Sequence, residues 1–124
     1  MGGRQHVEGC RVLVVDDEPE LRDLLAVTLE LAGYEVIEAP HGDAALEDAR
    51  RAQPQLVITD RMMPVMDGSE LIKRLRADAD MAQIPIILLT ATSGREPHAD
   101  AVLTKPFEHD ELIETVDRLT GRFH

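Results

Sequence analysis

The chain has 124 residues, a length that makes one domain, and 44% of them are hydrophobic, so a proper core can form without staples. A single cysteine, Cys10, excludes a disulfide framework, and 13 Lys and Arg against 24 Asp and Glu leave a net charge of −11 that repels phosphate backbones and anionic lipid alike. No apolar run approaches the roughly 20 residues of a bilayer span, so the expectation is a soluble, cytoplasmic chain that binds neither nucleic acid nor membrane.

Residues 1–9 carry three glycines and no periodicity, which predicts a loose leader ahead of a domain over residues 10–121. Met1-Gly2 opens like a myristoylation signal, but His6 stands where that signal requires Ser or Thr. Arg11 to Val15 is a short, uninterrupted apolar run, the mark of a strand buried on both faces, and it stops at Asp16-Asp17. A helix follows, capped by Asp17 or Glu18, with Pro19 in its first turn, Leu21, Leu24, Leu25, Thr28, Leu29 and Ala32 at helical period, and Gly33 as its stop.

The alternation then repeats. Tyr34 to Ala39 reads as a second strand, Asp43 to Gln53 as a helix, and Leu56 to Thr59 as a third strand ending at Asp60. A loop over 61–67 leads into a helix over Gly68 to Ala79, followed by a strand over Ile84 to Leu89 that ends at Thr90. Ala101 to Thr104 is a fifth strand ending at Lys105-Pro106, and Asp110 to Thr120 a last helix with Leu112, Ile113, Val116 and Leu119 on one face. Strands alternating with helices through right-handed crossovers predict an α/β fold, a parallel sheet covered on both faces.

The unusual polar residues Asp16, Asp17, Asp60, Thr90 and Lys105 all fall at carboxyl ends of these strands, the rim where open α/β sheets bind ligands. Three carboxylates gathered there repel one another and raise at least one pKa unless a cation lies among them. Hard oxygen donors in small number suit Mg²⁺, which takes one or two carboxylates plus a phosphate oxygen. Asp60, ending the central strand, is placed to attack a phosphoryl group, while Lys105 offers a point charge and Thr90 a hydroxyl donor to phosphoryl oxygens.

Four segments resemble the signatures of the response-regulator receiver domain: Val14 to Glu18, Thr59 to Gly68 (TDRMMPVMDG), Leu89-Thr90-Ala91 and Leu103 to Phe107 (LTKPF). The resemblance covers roughly residues 11–119. It implies a doubly wound five-stranded sheet in the order 2-1-3-4-5. It also implies that Asp60 is the phosphoacceptor, served by a histidine kinase or phosphotransfer protein. By the same resemblance Asp17, Asp60 and the backbone carbonyl of Met62 bind Mg²⁺ directly and Asp16 acts through water. Lys105 bridges toward a phosphoryl oxygen, its bond to Pro106 is cis, and Thr90 reports phosphorylation to an output protein that the sequence does not name.

The sequence also departs from that pattern. Thr90 and Lys105 lie 15 positions apart, about two helical turns fewer than the family places there, and Ala91 to His98 contains Gly94 and Pro97 without an apolar period. A loop is therefore expected where the family has its fourth helix. The expected consequence is apolar surface uncovered over the fourth and fifth strands, serving as a docking or homodimer face, the alternative being that the loop folds over it. Val102 stands where the family carries the Tyr or Phe that couples to the switch Thr, so the signal is expected to leave by another route. Met62 and Thr92 offer no group to position an attacking water, which predicts slow dephosphorylation.

Two other readings compete. The fold could serve as a protein-binding module that signals without phosphate. A Mg²⁺-dependent phosphatase would carry its nucleophile as Asp-x-Asp on the first strand, whereas Asp16 and Asp17 are adjacent, so the chain is not read as an enzyme with turnover. His6, His41, His98, His109 and His124 show no paired ligand spacing for zinc, and Met62, Met63, Met66 and Met81 read as packing or loop residues.

Overall fold

The computed structural model describes residues 10–92 and 94–121. The strands are β1 (Arg11–Val15), β2 (Glu35–Ala39), β3 (Leu56–Asp60), β4 (Ile86–Thr90) and β5 (Ala101–Thr104). The helices are α1 (Pro19–Leu31), α2 (Gly42–Ala52), α3 (Gly68–Ala77) and α4 (His109–Thr120). All pairings are parallel and the sheet order is β2-β1-β3-β4-β5, as expected.

Because side chains alternate along a strand, each buried run feeds two layers. Leu13, Val15, Val57, Ile86 and Leu88 pack toward Leu46 of α2 and Leu71, Ile72 and Leu75 of α3. Val12, Val14, Ile58, Ile87 and Leu89 pack toward Leu25 and Leu29 of α1 and Leu112 and Val116 of α4. Every residue of β3 and β4 is buried, so truncating one of their large side chains to Ala would cost about 2–5 kcal/mol.

Element boundaries shift for identifiable reasons. β4 starts at Ile86 rather than Ile84, because the Ile84 N–H is spent on the Met81 carbonyl at 3.2 Å and Pro85 has no N–H to give. α3 ends at Ala77 rather than Ala79, since Asp78 is extended and its Oδ1 accepts from Asp80 N at 2.9 Å. The N-cap Glu18 of α1 makes no side-chain cap bond; instead Asp16 Oδ1 accepts from Glu18 N at 2.9 Å. Leu24, one of the residues at helical period in α1, is 53% exposed and forms an outward stripe with Val27 and Leu31. The leader and lipidation readings on residues 1–9, and His124, lie outside the described residues.

Between β4 and β5 the chain runs as loop and turns, and the described residues form no helix there. The expected uncovering does not follow. β4 is wholly buried and Val102 is partly buried against the α2/α3 layer. Arg76 holds the loop down: it donates to the carbonyls of Ala82 (2.8 Å), Ile84 (2.7 Å) and His98 (2.9 Å) and to Asp100 Oδ2 (2.8 Å). Asp100 Oδ2 also accepts from Ile86 N at 2.8 Å, and Ser69 Oγ donates to Glu96 Oε1 at 2.8 Å. The homodimer expected through an exposed β4-β5 face therefore loses its apolar basis.

Candidate functional site

Parallel register sets the site. β1 and β3 pair with Val15 opposite Thr59, so Asp16 and Asp60 each stand one residue further along neighbouring strands. Asp60 pairs with Leu89, just before Thr90, and Thr90 pairs with Thr104, just before Lys105. Asp16, Asp17, Asp60, Thr90 and Lys105 thus share one rim of the sheet, as their positions predicted.

Carboxylate oxygens of Asp16, Asp17 and Asp60 lie within 4.8 Å of one another. Asp60 is 6% exposed and both its oxygens are held: Lys105 Nζ donates to Oδ1 at 2.5 Å and Met62 N donates to Oδ2 at 3.1 Å. The Lys105–Pro106 bond is cis, matching the expectation. The Lys105 N–H donates to the Thr90 carbonyl at 2.8 Å, which anchors that end of β5 against β4. Thr90 is buried, and its hydroxyl oxygen accepts from Thr92 N at 3.2 Å and lies 3.4 Å from the Thr92 hydroxyl. The Thr90 hydroxyl is therefore engaged with its own loop.

Asp16 carries the electrostatic cost of this gathering. Burial raises its pKa above the ordinary 3.8, and the charges of Asp60 and Asp17 add to that, against the lowering effects of the Glu18 N–H and Lys105. Its Oδ2 is buried with no hydrogen-bond partner. A partnerless carboxylate oxygen beside two more carboxylates, with one ammonium among them, is what a hard divalent cation would satisfy. The residues present therefore fit Mg²⁺.

Two supporting residues were not legible as such in the sequence. Gly68 read as a helix start, but a Cβ there would lie 2.5 Å from the Asp60 carbonyl oxygen, 2.9 Å from Leu88 Cδ1 and 3.0 Å from Arg61 Cα. Only glycine lets α3 begin this close to the end of β3. Arg22 drew no role from the sequence, yet its Nη1 donates to the Asp16 carbonyl at 2.8 Å and its Nε lies 3.2 Å from Glu38 Oε1. Burial and the adjacent Asp23 raise the pKa of Glu38 while Arg22 opposes them. Of the methionines flanking the site, Met63 and Met66 are buried packing residues and Met62 is 73% exposed.

Comparison with known proteins agrees with this geometry. The family model for the response regulator receiver domain matches residues 12–117. The chain is 41% identical to the phosphate regulon transcriptional regulatory protein PhoB of Pseudomonas aeruginosa over 91% of its own length and 54% of that protein. It is 39% identical to the DNA-binding dual master transcriptional regulator RpaA of a Synechocystis strain, over 90% of itself and 49% of RpaA. The chain thus spans about half the length of these curated relatives. Among solved structures it matches the Vibrio cholerae chemotaxis protein CheY4 with a TM-score of 0.83 and 36% identity, over 89% of this chain and 98% of that one. It matches the Thermotoga maritima response regulator TrrA, solved in complex with Mg(2+)-BeF, with a TM-score of 0.80 and 40% identity, over 88% and 97% of the two chains. Matched in sequence over most of its length and in fold over nearly all of it, the chain belongs to the response regulator receiver domain family of two-component signalling.

Proposed function

We propose that Asp60 accepts a phosphoryl group from the phosphohistidine of a histidine kinase or phosphotransfer protein. The observation that carries this reading is the Asp60 carboxylate itself, gathered with Asp16 and Asp17 at the rim and paired with Lys105 at 2.5 Å. In the transfer an Asp60 carboxylate oxygen forms a bond to phosphorus while the P–N bond to the donor imidazole breaks, and the leaving imidazole takes up a proton. Asp16, Asp17, Asp60 and the Met62 carbonyl would hold Mg²⁺. When bound, Mg²⁺ supplies the positive charge that lets a phosphoryl group approach three carboxylates. Lys105 steadies the Asp60 carboxylate before transfer and then has an anionic phosphoryl oxygen to bind. The Thr90 hydroxyl, held by Thr92 beforehand, is the nearby donor that can turn to the phosphoryl group and release its hold on Thr92.

The event is one phosphorylation per chain, with output through protein contacts rather than substrate turnover. A net charge of −11 favours protein partners over nucleic acid for this chain. The described residues include no helix long and apolar enough to cross a membrane, and a cytoplasmic site suits the kinase reaction. A pull-down with the domain loaded with beryllofluoride and Mg²⁺ tests the reading. Partners should be retained by the loaded wild type and lost with Asp60→Asn; equal retention by both would favour a module that signals without phosphate.

A further inference from the structure

The Asp16–Asp17 turn is fixed from outside the acidic cluster. Asp16 N donates to the Ala39 carbonyl at 3.2 Å, extending the β1-β2 pairing one residue past the strands, and Asp16 Oδ1 accepts from Glu18 N at 2.9 Å. The remaining backbone group, the Asp16 carbonyl, accepts from Arg22 Nη1 at 2.8 Å. Arg22 closes the first turn of α1 with its side chain 17% exposed, and Glu38 of β2 braces the same guanidinium at 3.2 Å. Every other hydrogen-bonding group of Asp16 is thereby committed, and Oδ2 alone is left without a partner.

The Arg22 guanidinium meets Asp16 at its backbone carbonyl, while the Asp16 carboxyl turns to Glu18 N and the acidic cluster. Arg22 therefore bears on the rim through the backbone. A planar guanidinium can bond a carbonyl on one edge while a carboxylate holds it from another, a two-sided grip that an ammonium does not reproduce.

We propose that Arg22, braced by Glu38, is a positioning residue that holds the Asp16–Asp17 turn in the conformation needed to bind the divalent cation. This rests on the reading of the rim as a Mg²⁺ site. Removing an outer partner of a metal ligand commonly weakens metal binding about tenfold or more, which is the effect expected for Arg22→Ala. Arg22→Lys should recover part of the loss, and Glu38→Gln, which keeps the guanidinium but weakens its brace, should show a smaller one of about threefold.

The test is calorimetric titration with Mg²⁺ of wild type, Arg22→Ala, Arg22→Lys, Glu38→Gln and Asp60→Asn, with melting temperatures measured in chelator. Phosphorylation by acetyl phosphate is then followed against Mg²⁺ concentration. Arg22→Ala should raise the Mg²⁺ concentration for half-maximal rate about tenfold while the rate at saturating Mg²⁺ returns to near wild type. A rate that stays low at saturation, or Mg²⁺ affinity equal to wild type, overturns the proposal. Should Arg22→Ala not fold, wild-type Mg²⁺ affinity in Glu38→Gln overturns it equally. Wild type that binds Mg²⁺ while Asp60→Asn does not shows the site reading intact whatever Arg22 does; wild type that fails to bind Mg²⁺ removes both.

Discussion

Lys105 Nζ reaches Asp60 Oδ1 at 2.5 Å across 45 positions of sequence, joining the end of β5 to the end of β3. The Lys105 side chain is 31% exposed and that of Asp60 9%, so the pair sits where water screens it only in part. Replacing Lys105 with Ala leaves three carboxylates without their ammonium. Phosphorylation of Lys105→Ala by acetyl phosphate is expected to slow on the order of 100-fold, read from the initial rate of phosphoprotein formation. A rate within twofold of wild type would remove Lys105 from the mechanism.

Asp16 opposes folding at neutral pH in the absence of metal. Its folded pKa is raised above the ordinary 3.8, mainly by burial, so the folded state binds a proton more readily than the unfolded chain. The resulting penalty is complete above the folded pKa, shrinks as pH falls through it, and vanishes below the unfolded value. Asp16→Asn should therefore melt higher than wild type at pH 7 in chelator, with the gap closing as the pH approaches the ordinary value. A gap that is constant with pH would show that Asp16 is not the group responsible.

Gly68 ties the start of α3 to the phosphoacceptor. A methyl group at this position meets the Asp60 carbonyl oxygen at 2.5 Å, and backbone has little room to yield. Gly68→Ala is expected to cost about 1–3 kcal/mol of stability by denaturant titration and to slow phosphorylation as the end of β3 is displaced. Unchanged stability and rate would mean that α3 can shift without moving Asp60.

Most of the fold was legible because parallel strands announce themselves as apolar runs and end in polar residues at a common rim. Asp16, Asp17, Asp60, Thr90 and Lys105 were placed by that rule alone. What escaped the sequence are contacts without a period. Arg76 ties down the connection between β4 and β5 by bonding the His98 carbonyl 22 positions away, and nothing in the spacing of a helical arginine signals a carbonyl partner. The expectation of an exposed β4-β5 face failed for that reason, and Arg22 was missed for the same one. Leu24 kept the helical period but faces solvent, since a period fixes a stripe and not which stripe the sheet covers.

Dephosphorylation should be slow. Met62 is apolar and 73% exposed two residues after Asp60, and Thr92 offers only a neutral hydroxyl that lies 3.4 Å from that of Thr90, so neither side chain is suited to orient an attacking water as a base would. The phosphoprotein is expected to persist for minutes or longer in Mg²⁺ buffer, and Met62→Gln to shorten its lifetime by about tenfold. Loss of the phosphoryl group within seconds from wild type would contradict this.

Every role assigned to the rim depends on Asp60 being the phosphoacceptor. Intact-protein mass spectrometry after incubation with acetyl phosphate and Mg²⁺ addresses it most directly. Wild type should gain a single phosphoryl group, dependent on Mg²⁺, and Asp60→Asn should gain none. An unmodified wild type, or a variant modified to the same extent, would contradict the account.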